Sequence, residues 1–119
     1  MKILIIYSCL FFSGLAFSQT ENELNFKSGV ELYNNGNYNE AINSFVKIIN
    51  NGEHSGSLYF NLGNSYYKLN DTPNSIYYFE KALKLNPNDK DIINNLTYSQ
   101  NMLIDKIELL PSNLSLIHI

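Results

Sequence analysis

Two runs decide how this chain folds: YFNLGNSYYK at residues 59–68 and SIYYFEKALKLNPND at residues 75–89. In the first, Tyr59, Leu62, Tyr66 and then Leu69 recur every three to four residues, the spacing that lines one face of an α-helix. Ile76, Phe79, Ala82 and Leu83 do the same in the second, and Asn86-Pro87 ends it. Between them, Asn70-Asp71-Thr72-Pro73 stops the first helix. Asp71 or Thr72 can cap the next one, and Pro73 fits its first turn, where the missing N–H has no partner to lose. Two short helices joined by so tight a turn make an antiparallel hairpin.

Upstream, the same pattern stands at a fixed offset. Gly29 and Gly63 are 34 residues apart, as are Tyr33 and Tyr67, Ala41 and Ser75, Phe45 and Phe79, and Ile48 and Ala82. That period belongs to helix–turn–helix units that stack to share a core. The first unit has Phe26, Val30 and Tyr33 on one helix, the turn Asn35-Gly36-Asn37, then Ala41, Ile42, Phe45, Ile48 and Ile49 on the second. A further helix opens at about Asp89, with Asp91 near its positive end, and carries Ile92, Ile93, Leu96, Leu103, Ile104 and Ile107 until Pro111 stops it. The expected fold is all-α: repeats at 22–55 and 56–89 and a capping helix at 90–108, within a domain of residues 19–110. Gly29, Gly63, Ala41, Ser75 and Ala82 are expected where helix backbones approach closely. Tyr38, Phe45, Tyr66 and Phe79 are expected to fill the volume between hairpins, with Leu62 and Pro87 completing the pattern.

Residues 1–18 read as a secretory signal peptide: Lys2 as the charged start, an apolar run from Ile3 to Phe12, and small residues at Ala16 and Ser18. Cleavage after Ser18 is the expectation. An uncleaved membrane anchor and a lipoprotein signal at Cys9 are the alternatives. The apolar run falls short of the roughly 20 residues that span a bilayer, and Tyr7 stands where a lipidated cysteine wants small residues. Removing the segment removes Cys9, the only cysteine, so neither disulfide nor thiol chemistry is expected of the mature chain.

Apolar residues at 45% and aromatics at 13% exclude a disordered tail. Eleven carboxylates against eight lysines, no arginine and no basic cluster give nucleic acid no electrostatic hold. Chemistry has little to work with either. His54 lies in the turn after Asn50 and His118 near the C-terminus, with no spaced ligands to make a metal site. Asp89, Asp91, Asp105 and Glu108 lie on one helix with no nucleophile to serve, and no phosphate-binding glycine loop is present. No catalytic residue, metal, cofactor or small-molecule substrate is expected.

The second unit resembles the tetratricopeptide repeat. It carries the family's Leu-Gly-x-x-Tyr at Leu62, Gly63 and Tyr66, the small-x-x-x-Phe-x-x-Ala at Ser75, Phe79 and Ala82, and the closing Pro87. The first unit keeps Gly29, the GNYNEA run from Gly36 to Ala41, and Phe45, but has Ser28 in place of Leu and no closing Pro. The last helix keeps Leu96 and has Thr97 at the glycine position, so it looks like a cap. More narrowly, the order of signal segment, two repeats and DIINNLTYSQNMLIDKIELLP is similar to the exported, BatE-like repeat proteins of the Bacteroides aerotolerance (Bat) operon of Bacteroidetes. In that family a membrane helix and often an SH3-like domain follow. Here the sequence stops, and a truncated reading frame is expected, with residues 111–119 a tail that need not be native.

The resemblance implies a function as well. First helices of successive hairpins would line a concave groove: Glu23, Phe26, Val30 and Tyr33, then Phe60, Asn64, Tyr67 and Lys68, continued by Tyr98 and Asn101. Rings and amides suit an extended peptide or helix. The carboxylate clamp of some family members is not expected, because only Asn64 matches it while Val30 and Tyr98 hold the equivalent places. The expectation is a periplasmic scaffold at the inner membrane that binds protein or peptide partners, components of a Bat complex among them. The alternative is a spacer that packs on a downstream domain of a longer polypeptide. So short a stack also leaves room for self-association.

Overall fold

The computed structural model describes residues 21–110; residues 1–20, with the segment expected to direct export, and the tail from residue 111 lie outside the described residues. Five helices and no strand are found among them. They are α1 (21–34), α2 (Tyr38–Asn50), α3 (Gly56–Lys68), α4 (Thr72–Leu85) and α5 (Lys90–Glu108). The chain divides between Glu53 and His54 into two compact units. The fold is the all-α helical hairpin that the periodicity predicts.

In the first unit α1 and α2 are joined through Asn35-Gly36-Asn37. Asn37 N–H donates to Leu32 C=O at 2.8 Å and Gly36 N–H to Tyr33 C=O at 3.0 Å, the pair of bonds that closes a helix C-terminus when one residue turns left-handed. Gly36 supplies that residue at φ 82°, and Gly52 does the same after α2 at φ 86°. After α3 the left-handed residue is Asn70, φ 62°, with Asn70 N–H to Tyr67 C=O and Asp71 N–H to Tyr66 C=O, each 3.0 Å. Asparagine tolerates this region better than other residues with a Cβ. Opposite the α1–α2 turn, Asn22 donates to Glu53 at 2.6 Å and accepts from Asn51 at 2.8 Å, tying the start of α1 to the end of α2.

The core of that hairpin is set by Phe45, fully buried with Ala41 beside it. Its ring lies on Gly29: a Cβ built there would meet ring atoms at 2.5–2.8 Å. Close approach was expected between helix backbones, but the glycine makes room for a ring. Phe26 tilts against the same ring, centroids 5.7 Å apart. Tyr38 meets Tyr33 edge-on at 5.3 Å, inside its own hairpin and not between hairpins.

The second unit repeats the device. Phe79 is fully buried and lies on Gly63, where a Cβ would meet the ring at 2.5–2.9 Å, and Phe60 tilts against it at 5.9 Å. Each helix start in this unit has a side-chain cap, whereas Asn37 at the start of α2 makes no such bond. Ser55 accepts from Leu58 N–H for α3, Asp71 rather than Thr72 from Asn74 N–H for α4, and Asp89 from Asp91 and Ile92 N–H for α5. Helix α5 packs on α4, burying Ile92, Leu96 and Ser99. A buried hydroxyl chain joins three helices here: Ser75 donates to Gly63 C=O at 3.0 Å, which leaves Ser99 to donate to Ser75 at 2.9 Å. Several members of the apolar stripes stay outside the core. Leu69 caps α3 and is 36% exposed, Ile93, Ile104 and Ile107 of α5 face outward, and exposed Pro87 stops α4 without packing.

Candidate peptide-binding surface

On α3, Phe60, Asn64, Tyr67 and Lys68 share one face, because a step of three or four residues returns to the same side of a helix. Phe60 is half-buried by its contact with Phe79, Tyr67 is half-buried, and Lys68 is exposed in the last turn. Asn64 is the join to α5, its side-chain oxygen accepting from Asn95 Nδ2 at 2.9 Å. That bridge commits the one residue that matches a carboxylate clamp. One turn beyond Asn95, Tyr98 is 59% exposed, and Asn101 is exposed after it. The α3–α5 seam therefore presents rings flanking an amide bridge, with a cation at its far end.

The first unit is separate. Phe26, Val30 and Tyr33 are half-buried on α1 and Glu23 is exposed. Phe26 and Tyr33 each touch a ring of their own hairpin, so they offer edges, not whole faces. Burial and the neighbouring Tyr38 push the Tyr33 hydroxyl above its ordinary pKa.

Sequence reasoning missed a tyrosine cluster on the α3–α4 side. Tyr66 and Tyr78 stack almost parallel, 3° apart with centroids at 5.6 Å; Tyr59 stacks on Tyr78 at 6.1 Å, and Tyr77 meets it edge-on at 5.0 Å. Lys81 Nζ lies over the rings of Tyr59 at 5.2 Å and Tyr77 at 4.9 Å, a cation–π arrangement. A hydrogen bond with Tyr77 holds the Lys81 ammonium above its ordinary pKa, against some desolvation. Burial raises Tyr66 and Tyr78 as well. His54 closes the row through a hydrogen bond between its Nδ1 and the Tyr59 hydroxyl. The signal was present: Tyr59 and Tyr66 are seven apart on α3, and Tyr78 sits one residue from Phe79, outside the apolar stripe.

Among the described residues no three His, Cys, Asp or Glu come together as metal ligands, and no helix is long and apolar enough to cross a membrane. Residues 57–89 match the family model of the tetratricopeptide repeat. The second hairpin, with its glycine, ring and capped turn, thus has both the family's pattern and the family's shape. Repeats of this kind generally serve protein–protein interaction and not catalysis. No curated protein matches the chain.

Proposed function

We propose that the chain is a non-catalytic scaffold that binds an extended or helical segment of a partner protein along the α3–α5 seam, through Phe60, Tyr67, Lys68, Tyr98 and Asn101. The observation that carries this is Tyr98, a large ring 59% exposed beside an amide bridge that is already satisfied. Such a ring gains by being covered, and it brings little conformational entropy to lose. The matched repeat supports the same reading. Phe26, Val30 and Tyr33 of α1 are a second contact strip.

The finer assignment rests on the sequence. The segment at residues 1–18 supports export to the periplasm, and the order of parts supports association with the inner membrane in a complex of the Bat aerotolerance type. The test is capture of membrane proteins from a detergent extract of the source envelope by the immobilised chain. One captured protein, bound about tenfold more weakly or worse by Tyr67→Ala/Tyr98→Ala at unchanged helicity, is the expected result. Capture that ignores both substitutions sinks the seam. Capture of nothing by a folded chain moves the reading to a spacer on a longer polypeptide.

A further inference from the structure

Helix α5 has 19 residues, against 13 in α2 and α3 and 14 in α4. Near its end Lys106 Nζ donates to Asn70 C=O at 3.0 Å and Thr72 Oγ1 at 2.7 Å, so the helix has reached the α3–α4 turn by then. One stripe of α5, Ile92, Leu96 and Ser99, is used inside the unit. A second stripe, Ile93, Thr97, Gln100, Ile104 and Ile107, is exposed along its whole length. Its three isoleucines stand 41%, 52% and 57% exposed, and Leu110 extends it at 57%. The residues alternate in steps of four and three, the seam by which one helix packs lengthwise on another. Nothing among the described residues covers it.

We propose that this seam joins two copies of the chain as an antiparallel α5–α5 pair, a contact independent of the α3–α5 reading above. The stripe is complementary to itself. About a twofold axis between Tyr98 and Ser99, Ile93 lies opposite Ile104 of the second copy and Thr97 opposite Gln100. The apolar layers match, and the two polar side chains meet each other, a pairing that fixes register in packed helices. Charge selects the direction. Antiparallel packing lays the Lys90 stem on Ile107 of the second copy with Glu108 next to it, an opposite-charge contact that the twofold repeats at both ends. Parallel packing would set Lys90 against Lys90 and Glu108 against Glu108. Asp91 and Asp105 fall off the seam. Asp89, at the height of Glu108 of the second copy, is the acidic group that remains beside each end of the contact, and its carboxylate is engaged in capping α5. So few side chains make a small interface, with a dissociation constant of about 10 µM or weaker.

Sedimentation equilibrium of the full chain between about 1 and 300 µM tests this. A concentration-dependent dimer is expected, weakened at least about tenfold by Ile104→Glu/Ile107→Glu. Both positions are exposed, so helicity by circular dichroism stays unchanged. Lys90→Glu should weaken the dimer, and Lys90→Glu/Glu108→Lys should restore it. A monomer throughout would overturn the proposal and leave the stripe to residues 111–119 or to another protein. A dimer indifferent to the isoleucine substitutions would overturn it too, by placing association elsewhere. Failure of the charge swap to rescue would overturn the antiparallel geometry.

Discussion

In both hairpins a phenylalanine ring lies on a glycine of the preceding helix, Phe45 on Gly29 and Phe79 on Gly63, and a second ring tilts against it from one turn earlier. Beyond that the hairpins part. Where the second has Tyr59, Tyr66, Tyr78 and Ser75, the first has Asn25, Leu32, Ser44 and Ala41. What repeats is what volume demands: a ring that large closes a two-helix core only over a residue without a Cβ. The polar and aromatic additions do not repeat, because each answers a neighbour particular to its own unit. Ser75 has Ser99 of α5 to bond, and Tyr78 has three tyrosines around it.

If the two ring-on-glycine cores are equivalent, Phe45→Ala and Phe79→Ala should cost about the same, each about 3–5 kcal/mol in chemical denaturation. A much smaller loss for Phe45→Ala would mean that the first hairpin adds little to the cooperative unit. The hydroxyl chain should separate the hairpins. Ser75→Ala makes the second hairpin like the first at that position but strands Ser99, at a cost of about 1–3 kcal/mol. Adding Ser99→Ala removes the stranded group, so the double variant should lose less than the sum of the two single losses. An additive result would show that the hydroxyls do not act as a pair.

The smallest effect is in alkali. A tyrosine whose pKa is higher folded than unfolded keeps its proton longer when folded. Its stabilising share is whole below pH about 10, where unfolded tyrosine starts to ionise, and is lost as pH rises through the folded pKa. Tyr66 and Tyr78 are raised in the second unit and Tyr33 in the first. Hydrogen exchange above pH 10 should therefore show the α3–α4 hairpin loosening at least as much as α1–α2. Earlier loosening of α1–α2 alone would show that stacking gives the second hairpin no alkaline sensitivity.

The all-α fold was legible because the signals for it are local and periodic: stripes at helical spacing, Asn-Gly and Asp-Thr-Pro turns, and one offset linking the two hairpins. The partner of each glycine was not. Spacing says that room is needed at Gly29 and Gly63 but not whether a backbone or a ring fills it. Helical periodicity likewise cannot tell a stripe that is covered from one that is not, so Ile92 and Ile104 look alike in the sequence and differ in the structure. At the seam, the run from Phe60 to Lys68 followed from the repeat. The Asn64–Asn95 bridge did not, because it depends on where α5 lies.

The left-handed turns after α1 and α2 also bear on how the chain ages. Each glycine follows an asparagine, Asn35-Gly36 and Asn51-Gly52, the pairing in which a peptide nitrogen most readily attacks the side-chain amide before it to form a cyclic imide. Here both nitrogens are held: Gly36 N–H by Tyr33 C=O at 3.0 Å, Gly52 N–H by Ile49 C=O at 2.9 Å. Asn51 is further held through its amide by Asn22. The bonds that end the helices thus also protect the covalent chain. Deamidation at these two sites becomes a slow clock of how often each turn opens.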